Sequence, residues 1–281
     1  MSKRVLVTGG AGFVGSHLCE ALVKRGDVVF SLDNYSTGSK ANHIDGVYYT
    51  FGDTKDISKY NFGQIDMIYH LGEYSRVEES YKEPNKVFDF NTFGTYEVIK
   101  FALDNNCRLL YAGSSTKFGN NGADSSPYAF SKAMNTQLVK NYGSWYGLDY
   151  VITYFYNVYG PREISSGSYA TVIAKFNELR KQGVPLPVTT PGTQVRNFTH
   201  VEDIVAGLLL AGDHGIGDGY GIGADESFTI LDVAKMFECD VEMTPPKRGN
   251  RLSAELVTQK IKTLGWRQNK YLKDYIVDLI K

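Results

Sequence analysis

Cysteine is scarce: three residues in 281, at positions 19, 107 and 239. They are too few and too scattered for a disulfide framework or a zinc knuckle. A reducing, cytoplasmic compartment and no metal site are the expectation. Charge of one sign is also lacking. Thirty Lys and Arg stand against 31 Asp and Glu, for a net charge of −1, which removes the electrostatic footprint of a nucleic-acid binder. Long hydrophobic runs are missing. The longest clean one, Ile204 to Ala211, falls far short of the roughly 20 residues of a membrane span. The first residues, Met1 to Gly10, run into an apolar stretch with neither a basic n-region nor a cleavage site, so no secretory leader is expected. What the chain has in excess is glycine, at 29 residues against the usual ~7 %.

The first two-thirds alternate short β-branched runs with helical patterns. Val5–Val7, Val28–Leu32, Val47–Tyr49, Met67–Leu71, Leu109–Ala112 and Val151–Tyr154 read as strands. Between them, Val14, Leu18 and Leu22 mark a helix by their i, i+4, i+8 spacing. Further helices are expected near Val87 to Leu103 and from Pro127 onward. Strands alternating with helices predict right-handed βαβ units and a parallel sheet. After Gly160-Pro161 the segments shorten and become more polar and proline-rich, which reads as a smaller second lobe.

The glycines concentrate where chemistry is expected. Val5-Leu6-Val7-Thr8 is followed by Gly9, Gly12 and Gly15, then by Asp33, 18 residues beyond the third glycine. Strand, glycine turn, helix and distant acid together form a dinucleotide fingerprint. Gly9 permits the tight turn. Gly12 lets the backbone approach a pyrophosphate on the helix N-terminus, and Gly15 lets helix and sheet pack closely. The Asp33 carboxylate would accept from a ribose diol and repel a 2′-phosphate, which favours NAD over NADP.

Tyr128 and Lys132 form a Tyr-x-x-x-Lys pair, one helical turn apart on one face. Ser126 suits the N-cap and Pro127 the first helical position. The phenol thus sits near the positive end of the helix dipole, and dipole and ammonium both favour the phenolate of a general base. Ser114, in Gly113-Ser114-Ser115-Thr116-Lys117-Phe118-Gly119, follows a strand end, where ligands of parallel sheets bind.

These motifs resemble the short-chain dehydrogenase/reductase superfamily, in its extended, nucleotide-sugar epimerase branch, that of UDP-glucose 4-epimerase. The three-residue glycine spacing fits that branch. So do Gly52-Asp53-Thr54, His70-Leu71-Gly72, and Asn91 with Gly94-Thr95. Farther on, Tyr154-Phe155-Tyr156-Asn157-Val158-Tyr159-Gly160-Pro161-Arg162, Gln194 to Asp203 and Pro246-Lys247-Arg248-Gly249-Asn250 are similar to its substrate-binding segments.

The resemblance implies a Rossmann-type doubly wound parallel sheet with a smaller mixed α/β lobe. Residues 1–157 and about 198–223 would bind NAD, and residues of about 158–197 and 224–281 the nucleotide sugar. It implies catalysis by Ser114, Tyr128 and Lys132. The cofactor falls to Gly9, Gly12, Phe13, Val14, Gly15, Asp33, Asn34, Asp53, Thr54, Leu71, Gly72 and Asn91, together with Tyr128 and Lys132. Ser114, Ser115, Asn157, Arg196 and Lys247 or Arg248 are left for the nucleotide-diphosphate sugar. A homodimer through the helices at about 87–103 and 127–146 is a family expectation.

The implied reaction is oxidation of a UDP-hexose or UDP-N-acetylhexosamine at C4 by hydride transfer to NAD, and return of the hydride to the other face. Dehydratases of the branch carry acids immediately after the catalytic hydroxyl, where this chain has Ser115 and Thr116. Another NAD-dependent nucleotide-sugar dehydrogenase, reductase or dehydratase is the alternative, and a non-catalytic NAD-binding sensor a third reading. Two departures stand out. Tyr128 follows Gly119 by only nine positions, and Glu73 replaces a small residue just after Gly72. That carboxylate could bind a hydroxyl, reject an acidic sugar or face water.

Overall fold

A computed structural model describes residues 2–119, 125–246, 248–249 and 251–281. The β-branched runs form β1 (Arg4–Thr8), β2 (Val28–Asp33), β3 (Val47–Phe51), β4 (Met67–His70), β5 (Arg108–Ser114) and β6 (Tyr150–Phe155). A further strand, Gly217–Ile222, pairs with β6. The spatial order is β3-β2-β1-β4-β5-β6 and then Gly217–Ile222, with every neighbouring pair parallel. Chain order reverses between β1 and β4, so a crevice opens beyond their C-terminal ends, at Thr8 and His70, where open α/β sheets bind ligands.

Alternation along the strands divides the core between two faces. Val5 and Val7 face Leu18 and Leu22 of α1 (Phe13–Lys24), together with Ile204, Leu208, Ile222 and Trp266. Leu6, Ile68, Leu109 and Ile152 face the opposite way, onto Val98, Ile99 and Val139.

On that second face lie α2 (Val77–Ser80), α3 (Pro84–Val87), α4 (Gly94–Asp104) and α5 (Pro127–Tyr146). The single helix expected over 87–103 is instead a continuous run of three pieces, because Phe88–Phe93 is π-helical. This widened turn carries Asn91, which is fully buried. A third cluster consists only of residues after 158, among them Tyr159, Phe176, Leu186, Val188, Val233, Phe237 and Ile276. Two small ribbons flank it: Leu186–Thr189 with Val241–Thr244, and Val195–Arg196 with Phe228–Thr229. Arg162 ties this part to α1 by donating to Glu20 Oε2 at 2.6 Å. Among the described residues, no helix is long and apolar enough to cross a membrane.

Candidate active site

A cavity of about 540 Å³ runs from the β1–α1 turn past the ends of β4 and β5 to the segments after residue 157. Its first stretch is built from glycine for steric reasons. Gly9 has a φ of +75°, and a Cβ on Gly15 would lie 2.0 Å from the Gly9 carbonyl oxygen. Gly12 is the N-cap of α1 and supplies no side chain, so the first amides of α1 are left for an outside acceptor.

Asp33 closes this stretch, accepting from the amides of Ala11 at 2.9 Å and Tyr35 at 2.8 Å. Burial pushes its carboxyl up, against the pull of those two amides. A carboxylate has about four acceptor positions, so it retains capacity for a ribose diol. Phe13, Val14, Asn34, Asp53, Thr54, Leu71 and Gly72 line the same stretch, and Asn34 Nδ2 donates to Asp53 at 2.5 Å. A glycine cradle, open amides and a carboxylate at the end of β2 fit a dinucleotide.

The middle of the cavity holds the reactive side chains. Ser126 caps α5 by accepting from the Ala129 amide at 3.0 Å, with Pro127 in the first turn. Tyr128 therefore leaves the first turn facing the end of β5, and its hydroxyl donates to Ser114 Oγ at 3.1 Å. Ser114 Oγ also accepts from Thr116 Oγ1 at 2.9 Å, which leaves its own O–H free to donate to a bound oxygen. Ser115 Oγ accepts from Arg251 Nη2 at 3.1 Å.

Lys132 lies one turn beyond Tyr128, and its ammonium donates to Glu73 Oε2 and to the Ala112 carbonyl. Of the readings open for Glu73, facing water does not hold, since its side chain is 3 % exposed. Its carboxylate turns into the protein, because donors from β5, α4 and α5 converge there. Thr95 at 3.0 Å, Asn135 at 3.0 Å and Tyr111 at 3.2 Å all donate to Oε1.

Cations line the far end. Asn157, at a φ of +33°, a region that Asn tolerates better than most residues, faces the cavity with Arg196, Arg251, Arg76 and Glu163. Burial lowers Arg196 to about 10, with Arg251 adding to the effect, and burial likewise lowers Arg251 and Arg76. One terminal nitrogen of Arg251, Nη1, is buried without a hydrogen-bond partner. Glu163 accepts from the Gly160 amide at 2.9 Å, while burial pushes it up to about 7.

Two sequence assignments need correction. Arg248 does not reach the cavity. It stacks on the Tyr81 ring at 4.2 Å, in a separate hollow with Phe88 and Phe130, because the turn at Gly249, with its φ of +76°, sends Arg251 inward instead. Nor does Asn91 line the cavity. Its amide is spent on Tyr74, accepting from the backbone N–H at 2.6 Å and donating to the carbonyl at 3.2 Å, and on Ser131.

Lys247 and most of the segment between Gly119 and Tyr128 lie outside the described residues. Sequence reasoning missed Arg251, Arg76 and Glu163. Only Arg251 carried a signal, as the next cation after the Lys247-Arg248-Gly249-Asn250 segment of the sequence.

Residues 5–223 match the family described as NAD dependent epimerase/dehydratase. A putative UDP-glucose 4-epimerase of Methanocaldococcus jannaschii is 28 % identical over 97 % of this chain and 95 % of that protein. The UDP-N-acetyl-α-D-glucosaminuronate decarboxylase of Bacillus cytotoxicus is 32 % identical over 84 % of this chain and 79 % of its own length. Among solved structures, the UDP-glucose 4-epimerase of Thermus thermophilus in complex with NAD superposes with a TM-score of 0.89. It is 29 % identical, over 99 % of this chain and 98 % of that one.

Proposed function

The chain belongs to the NAD-dependent epimerase/dehydratase family, and from that premise we propose that it epimerises a nucleotide-diphosphate sugar, at C4 of a UDP-hexose or UDP-N-acetylhexosamine. The observation that carries this reading is the Tyr128–Ser114 hydrogen bond of 3.1 Å, beside a cavity whose next two residues after Ser114 are Ser115 and Thr116. Such a pair can move a proton on and off one sugar hydroxyl. It supplies no acid at the positions where the branch's dehydratases carry theirs.

The cofactor's share is reversible two-electron oxidation of the sugar carbon. The chain's own groups do the rest. Ser114 donates to the sugar oxygen, and Tyr128 removes and returns its proton as a general base and acid. Gly9, Gly12 and the open amides of α1 hold the pyrophosphate, and Asp33 takes the ribose diol. Asn157, Arg196 and Arg251 grip the sugar's diphosphate, for which guanidinium forks are suited. That grip must hold while the oxidised sugar turns over. The partner in solution is a second copy of this chain, meeting it through the aromatic faces of α4 and α5.

A second reading draws on Glu163, an acid pushed up to about 7 inside the same cavity. There it could protonate a leaving group in a dehydration or decarboxylation. Both readings are tested by product analysis. UDP-glucose, UDP-galactose, UDP-N-acetylglucosamine, UDP-glucuronic acid, GDP-mannose and dTDP-glucose are each incubated with the protein and NAD, and the products resolved by NMR. A pair of C4 epimers approaching one ratio from either side supports the first reading. Loss of water or carbon dioxide, abolished by Glu163→Gln, replaces it with the second. In either case Tyr128→Phe should lower turnover roughly 10²–10⁴-fold while NAD still binds.

A further inference from the structure

The ion pair between Glu73 and Lys132 is buried and almost wholly enclosed, with side chains 3 % and 6 % exposed. It ends a continuous chain of hydrogen bonds. Thr8 Oγ1 accepts from the amides of Leu71 at 3.1 Å and Gly72 at 3.0 Å, so its own proton is free for His70 Nδ1 at 2.7 Å. His70 Nε2 then carries the ring's proton and donates to Thr95 Oγ1 at 3.0 Å. Thr95 in turn donates to Glu73. This tautomer follows from the bonding pattern. It agrees with the imidazole's burial, which lowers His70 to about 4 and keeps it neutral.

Every neighbour of the Glu73 carboxylate is therefore a donor, on β5, α4 and α5 alike. A small side chain at this position would leave Lys132 with the Ala112 carbonyl alone, and the cavity with a full positive charge beneath its reactive end. With Glu73 in place the two charges largely cancel.

We propose that Glu73 is a positioning residue. It pins Lys132 in a neutral pair against β5 and, by removing the unbalanced cation, makes the site hold the oxidised, cationic nicotinamide in preference to the reduced one. The inference rests on the reading that the nicotinamide end of the cofactor lies over Ser114, Tyr128 and Lys132. It does not depend on which sugar is turned over. The other charged or titratable groups facing this region are neutral His70 from β4, Tyr111 from β5, Arg76 from the segment after β4 and Arg251 from the C-terminal part. None of them is replaced in the test.

The test uses cofactor-free protein, titrated with NAD and separately with NADH by calorimetry. Glu73→Gln keeps the shape and removes the charge. The ratio of the NAD dissociation constant to that of NADH should rise roughly tenfold, the size expected of one charge at several ångströms in a partly screened site. Glu73→Asp, which retains the charge, should stay nearer wild type. A loss of packing alone would weaken both cofactor forms by one factor, and an unchanged ratio overturns the proposal. Should Glu73→Gln fail to fold, Lys132→Met decides from the other side of the pair, and its ratio should fall below wild type.

If no nucleotide sugar is turned over, the epimerase reading fails, and the NAD-to-NADH ratio still decides the role of Glu73.

Discussion

Glu163 shows what burial does to a single side chain. Desolvation lifts its carboxyl to about 7, against the opposing pull of Thr171, the Gly160 amide and Arg76. Between the ordinary glutamate value of about 4.3 and that raised value, the folded protein keeps a proton that the unfolded chain has released. Folding stability attributable to this group is therefore full below the lower value, falls as pH rises through about 7, and is flat above it. Glu163→Gln removes the titration. Its melting temperature should gain on wild type by a few degrees between pH 5 and pH 8, from roughly 1–3 kcal/mol of linkage. Thermal scans at the two pH values measure it, and a difference that does not change with pH refutes the assignment. Nothing in the sequence marked Glu163 or Arg76, since each is an isolated charge of a kind that usually faces water. Only the fold shows them turned into a cavity. Tyr128, Lys132 and Ser114 were legible because a helical spacing and a strand end place them without knowledge of distant contacts.

The turn at Gly249 shows the same dependence on distant contacts in a short segment. Gly249 occupies a left-handed conformation, which sets Arg248 on the Tyr81 ring and Arg251 beside Ser115. Arg251→Ala should raise the KM for the nucleotide sugar roughly 10–100-fold, the loss of a charge-assisted contact. Arg248→Ala should change it less than about twofold. Equal effects would mean that the turn presents both cations to the ligand. The β1–α1 cradle could be read from sequence because its glycines answer to contacts within a few residues. The orientation of the turn at Gly249 could not, since it depends on Tyr81, far away in the chain. For the same reason the strand Gly217–Ile222, with three glycines among six residues, gave no β-branched signal. Pairing with β6 and burial of Tyr220 and Ile222 hold it in place. Asn91 resembled a cofactor ligand in its motif, yet the π-helical turn directs its amide to Tyr74.

At the scale of the whole molecule, α4 and α5 present aromatic rings that nothing among the described residues covers. Trp145 and Tyr146 are more than 60 % exposed and Phe130 is 46 % exposed. Tyr142 joins Tyr96 to Trp145 and Tyr146 through ring contacts of 5.0–6.3 Å. Burying such a belt against its own copy satisfies both chains at once. Sedimentation velocity should give twice the chain mass, and a Phe130→Glu, Trp145→Glu double variant should run as a monomer. A wild-type monomer at micromolar concentration would discard the belt as an interface. The sheet has a different consequence, one for synthesis. The layer over α1 and the core of β1 includes Ile204, Leu208, Ile222, Ile261 and Trp266. A growing chain that has left the ribosome only as far as β6 can already pair β1 to β6 with one another, but one face of that sheet still lacks its cover. The cofactor cradle, encoded at Gly9 to Gly15, must wait for Trp266, about 250 residues later in synthesis, before its supporting layer closes.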